Sequence, residues 1–203
     1  MSTLISKLAI AAVVLGLAAC DEGINVTRAA PERIKLPDGL VVSGTPGWCI
    51  DTRTTRTNGD TSVVVLGSCA AIAGNALAPR PEVPGVVTVS VENRPGEVPP
   101  TSILQNFVAS DAGRAALARD GSPESVDILD SRSVDDLLLI LVEDRSIRRT
   151  AGAARDFWRA LFGFDGRFVT ISLVGMSDRP IESPAGFETL EAQVDQIRVE
   201  NGG

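Results

Sequence analysis

The chain opens with an uncharged apolar run, Leu8 to Ala19, behind a single cation, Lys7. As a helix that run spans about 18 Å, well short of the roughly 30 Å hydrocarbon core of a bilayer. It reads as the hydrophobic stretch of a signal peptide over 1–19, not as a permanent span. The following residues, DEGINVTRAAPE, lack apolar periodicity and contain a proline, which predicts a tether over 20–32. From Arg33 onward apolar residues recur with strand or helix periods, so 33–203 is expected to form one folded domain.

Within that domain Arg33 to Leu36 and Leu40 to Ser43 flank Pro37-Asp38-Gly39 and predict a hairpin. Trp48-Cys49-Ile50 predicts a short strand, Val63 to Leu66 a buried one, and Val86 to Val91 another. Gly74 to Gly85 and Arg94 to Pro100 are proline-rich and read as connections. Thr101 to Ala118 predicts a helix with Ser102 as its cap and a restart at Asp111, ended by Gly121. Val126 to Asp130 and Asp136 to Asp144 predict an antiparallel pair. The unbroken apolar run Leu137 to Val142 implies that both faces of its strand are covered. Thr150 to Gly163 reads as a compact helix carrying Phe157, Trp158, Leu161 and Phe162, followed by a strand over Arg167 to Gly175. Ser183 to Glu200 is a terminal helix, its stripe of Phe187, Leu190, Val194 and Ile197 suited to a sheet face. The expected class is α+β, a single domain with a mostly antiparallel sheet packed by helices.

Composition narrows the chemistry. There is no histidine and no tyrosine, which excludes Ser-His-Asp and Cys-His catalysis, histidine bases and histidine-ligated zinc or haem. The formal charge of −7 repels phosphate backbones, so nucleic acid is not an expected partner. No phosphate-binding loop G-x-x-x-x-G-K-[ST] and no G-x-S-x-G elbow occurs. No cofactor, no metal site and no enzymatic activity are expected.

Leu17-Ala18-Ala19-Cys20 resembles the bacterial lipobox. The resemblance implies cleavage before Cys20, diacylation of its thiol and anchoring of the mature chain to a membrane, facing the periplasm. Asp21 after the cysteine favours the inner over the outer membrane. Cys49 and Cys69 remain as an even pair in an oxidising compartment and predict a disulfide around the polar stretch Asp51 to Asp60. A redox role is disfavoured, because the two are twenty residues apart and no helix start is apparent to activate a thiol.

Pro46-Gly47-Trp48-Cys49-Ile50-Asp51, Val65-Leu66-Gly67-Ser68-Cys69 and the segment FDGRFVTISLVGMSDRPI resemble uncharacterised alphaproteobacterial lipoproteins. Some of those carry a "cation transport ATPase" label that no motif of this sequence supports. The element order is similar to the PsbP/Mog1-like sandwich, a fold whose members mostly act in binding or assembly.

Two charged clusters remain. Asp127, Asp130, Asp135, Asp136, Glu143 and Asp144 surround the predicted hairpin; they fit no EF-hand spacing, and a solvated turn is the ordinary reading. Arg145, Arg148, Arg149 and Arg155 form a basic patch that could dock a carboxylate, a phosphate headgroup or a partner's acidic face, or simply be a solvated stretch entering a helix. The functional expectation is a membrane-anchored lipoprotein that binds an envelope protein or assists an assembly. A small-molecule or divalent-cation binding module is the alternative.

Overall fold

The computed structural model describes residues 29–146 and 151–203. The first hairpin pairs β1 (Arg33–Lys35) with β2 (Val41–Ser43). The main sheet contains β3 (Trp48–Ile50), β4 (Thr61–Ser68), β5 (Gly85–Glu92), β6 (Val126–Val134), β7 (Leu137–Asp144), β8 (Ala153–Phe164) and β9 (Arg167–Met176). Among the described residues four α-helices accompany it: α1 (Cys69–Ala73), α2 (Thr101–Ala109), α3 (Asp111–Leu117) and α4 (Ser183–Glu200). The architecture is α+β, a single domain. All pairings in the seven-stranded sheet are antiparallel, in the order β3-β4-β5-β9-β8-β7-β6.

One sheet face carries the larger core. Val64 and Leu66, Val87 to Val91 in alternation, Leu139, Trp158, Phe162, Ile171 and Leu173 all point into it. The α4 stripe of Phe187, Leu190, Val194 and Ile197 closes it from above. Burial of these side chains at about 25 cal/mol per Å² is the main force holding helix to sheet. Polar groups fix the register of the small hairpin against the same helix. Buried Gln193 donates to the Ser43 carbonyl and accepts from the Thr45 N–H at 3.3 Å. Asn201 accepts from Val41 N–H and donates to Val41 C=O, both at 2.8 Å, as a neighbouring strand would.

The opposite face holds a smaller core of Leu104, Val108 and Leu117 from α2 and α3 against Val126, Leu138, Ile140, Val142, Phe157 and Leu161. With α4 on one side and α2–α3 on the other, β7 is covered on both faces, as its unbroken apolar run requires.

The helix expected over Thr150 to Gly163 is instead the strand β8. Its apolar residues fit either period because both of its faces are buried: Trp158, Ala160 and Phe162 enter the larger core, Phe157 and Leu161 the smaller. The two-residue turn Asp165-Gly166 decides the matter. Both residues adopt left-handed backbone, φ 49° and 68°, the conformation that joins antiparallel strands most readily, and Phe164 pairs directly with Arg167. Gly166 is thus a hairpin residue.

Ser102 does not cap α2. Pro100 stands at that position, and Thr101 Oγ1 donates across to the Asp135 carbonyl at 3.0 Å. The restart at Asp111 is present, with Ser110 Oγ accepting from Gly113 N–H at 3.1 Å.

Candidate binding face

The expected disulfide joins Cys49 on β3 to Cys69 at the start of α1, with Cα atoms 4.8 Å apart. It closes the base of the β3–β4 hairpin, whose polar connection is held by its own Asp51 and Thr54 side chains. Before β1 the chain is already bonded to the domain, since Pro31 C=O accepts from Ile50 N–H and Glu32 C=O from Gly44 N–H. Cys20 lies outside the described residues.

Arg145 donates to Asp127, and to Glu143 at 3.0 Å, so this arginine is held by the acidic cluster rather than projecting as part of a free basic surface. Its guanidinium keeps the Asp127 carboxyl below the usual range. Arg155 is exposed on β8, while Arg148 and Arg149 lie outside the described residues. The remaining acidic residues separate. Asp130 meets Arg132, Asp136 meets Arg198, and Asp135 occupies a turn at φ 51°. Asp144 is fully buried and faces Arg119. Among the described residues no group of three or more acidic or cysteine side chains is arranged to hold a metal ion. No helix among them is long and apolar enough to cross a membrane.

The sheet itself offers a feature that neither cluster predicted. Helices α2 and α3 pack on β7 and β6, leaving the β4, β5 and β9 part of that face uncovered by either helix. At the far side α1 rises over β4, where Ile72 lies against Gly67. Between these walls, four inter-strand spacings or about 19 Å apart from β4 to β7, the open face forms a shallow trough floored by β4, β5, β9 and β8.

Strand register specifies its floor. Thr88 faces Ser172 and Ser90 faces Thr170 across the β5–β9 pairing, a two-by-two block of hydroxyl residues. Val65 and Val63 flank the block on β4 as the partners of Thr88 and Ser90. On the β8 side Ser172 is the partner of Arg159. All seven are half-buried. Among the described residues, Thr88, Ser90 and Thr170 make no side-chain hydrogen bond, whereas Ser172 Oγ accepts from Arg159 Nε at 3.0 Å.

The pattern was present in the sequence. In VVTVSV and FVTISLV hydroxyls alternate with aliphatic residues, which puts one face in a core and the other against solvent. Arg159 was hidden because its segment reads as a helix.

Elsewhere, a cleft of about 250 Å³ lies between α4 and the Thr45–Pro46 loop, with Glu82 and Glu188 among its lining residues. A wider concavity beside the C-terminus is lined by Asp38 and Asp165. Both carboxylates are taken up by Arg167, whose Nε is 2.6 Å from Asp38 Oδ2 but off-axis, so that contact is electrostatic. No family model, curated protein or solved structure matches the chain.

Proposed function

We propose that this chain is a lipid-anchored, periplasm-facing binding protein without catalytic activity of its own, which receives another envelope protein on its open sheet face. The observation that carries this reading is the half-covered sheet. Its floor of valines and hydroxyls is neither a sealed core nor the charged surface of an ordinary exposed strand. A shallow trough also suits a protein surface better than a small molecule, whose sites are concave and bury most of the ligand. The lipid on Cys20, which the Leu-Ala-Ala-Cys sequence supports, would hold the face within reach of membrane-bound partners.

Two experiments test the reading. A photo-crosslinking residue at Thr88 or Thr170 in intact cells should give a discrete adduct, while the same residue at exposed Asp195 on α4 should not. Adducts of equal yield and identity at all three positions, or none at the trough, would refute it. Separately, Cys20→Ser should abolish incorporation of labelled palmitate and release the chain from the membrane fraction. Unchanged labelling would remove the anchor from the proposal.

The cation-binding alternative draws on the carboxylates near the β6–β7 hairpin. Of these, Asp127, Asp130, Asp136, Glu143 and Asp144 are already answered by arginines, so protein binding is the better supported reading.

A further inference from the structure

We infer that the partner segment seated in the trough presents a carboxylate side chain to Arg159, with apolar neighbours lying along Val63 and Val65. This rests on the proposed binding function and specifies the chemistry that the face selects.

Arg159 is the exception in a consistent pattern. Among the described residues, the other arginines that are not fully exposed each have a carboxylate partner. Arg114 has Asp111, Arg119 has Asp144, Arg167 has Asp38 and Asp165, and Arg198 has Asp136. Arg159 has one neutral hydroxyl, Ser172 Oγ, and the Phe157 ring 5.2 Å from its guanidinium carbon. Withdrawing a cation from water is unfavourable unless a counter-charge replaces the lost hydration. Burial accordingly lowers the pKa of this guanidinium from its ordinary value. Its partners on the flanking strands are Ile140 of β7 and Ser172 of β9, with Thr170 and Val174 next along β9, so no neighbouring strand position supplies the counter-charge.

The surroundings suit a carboxylate. Thr88, Ser90 and Thr170 can donate to carboxylate oxygens or pair with the amides of an extended segment. A single guanidinium matches one negative charge, whereas sites for a phosphate dianion usually gather several arginines. Flanking valines favour apolar residues on either side of the acid, so the partner would read as an acidic residue within a β-prone stretch.

The test uses the full chain, isotopically labelled, with amide shifts of Thr88, Ser90, Thr170 and Ser172 as readout. The probes are acetyl-Val-Glu-Val-amide and acetyl-Val-Gln-Val-amide, with octanoate and inorganic phosphate alongside. The glutamate peptide should shift these amides saturably, and the glutamine peptide should bind at least about tenfold more weakly. Arg159→Gln should erase that preference. Arg159→Lys, which keeps the charge but loses the planar fork, should reduce it and serves if the first variant does not fold. Equal binding of the two peptides, no saturable shift from either, or an unchanged preference in both variants would overturn the inference. Tighter binding of octanoate or phosphate than of the glutamate peptide would overturn it in favour of a small anionic ligand. Trough crosslinks that persist alongside equal peptide binding would leave the binding face standing and remove only the carboxylate. Loss of the crosslinks would remove the binding face itself.

Discussion

Asp144 closes the end of β7 with no exposure to solvent, and its two oxygens accept from two backbone amides and face one cation. Oδ2 accepts from Arg119 N–H at 3.2 Å and faces the Arg119 guanidinium at 3.6 Å, while Oδ1 accepts from Ser146 N–H at 2.9 Å. Asp144→Ala would leave two amides and a half-buried cation without their acceptor, so a loss of about 3 kcal/mol is expected in denaturant melts. A variant within about 0.5 kcal/mol of the parent would contradict this account. Asp156 has the opposite character. Burial pushes its carboxyl above the usual range, and Glu143, its partner across the β7–β8 pairing, adds to the shift while Arg155 opposes it. The folded chain therefore binds this proton more tightly than the unfolded chain does. The corresponding stabilisation is complete at low pH and is lost as pH rises through the raised pKa. Asp156→Asn should raise the melting temperature slightly at pH 7 and converge with the parent below about pH 3.9. A difference of the same size at both pH values would rule out titration as its source.

At the scale of elements, α4 approaches β8 so closely that Gly186 lies against the Trp158 indole. A Cβ there would overlap Trp158 Cε2. Neither the fully packed ring nor the sheet behind it can yield, so Gly186→Ala should cost about 3 kcal/mol in thermal or chemical unfolding. The disulfide acts at the other end of the sheet. Its loop of twenty residues predicts that Cys49→Ser costs about 3 kcal/mol under oxidising conditions, read as a lowered melting temperature. Most elements were legible in the sequence, and the reason is physical. The stripe of α4 and the alternation of β5 and β9 follow from burial on one face, the short unbroken apolar run of β7 from burial on both, and the Pro-Asp-Gly turn from its backbone demands. β8 was not legible, because a strand buried on both sides has no polar face to reveal its period. The same ambiguity concealed the site. Read as a helix, the segment detaches Arg159 from Ser172, and only register brings that arginine beside the hydroxyls of β5 and β9. The basic stretch differs: sequence adjacency shows where Arg145 stands but not that Asp127 and Glu143 hold it.

Across the whole molecule, hydrogen bonds to carboxylates add to the acid sensitivity. Asp51, Asp120, Glu124 and Asp127 are each held below their usual range, chiefly by hydrogen bonds to side chains or backbone amides. Their contribution is present at neutral pH and lost as pH falls through the lowered values, so acid should destabilise the domain. The order of strands has a consequence of another kind. β3, β4 and β5 are consecutive hairpin neighbours, and so are β6, β7, β8 and β9; the two groups meet along the β5–β9 pairing. Each group forms contacts between nearby residues, whereas the joint between them brings Val91 to Val169 and must close a long stretch of chain. That late-closing joint is the floor of the trough, with Thr88 and Ser90 on one bank and Ser172 and Thr170 on the other. A partner laid across them would act as a suture, slowing amide exchange in β5 and β9 more than in the outer strands, and recognition would then be measurable as resistance to coming apart along one line.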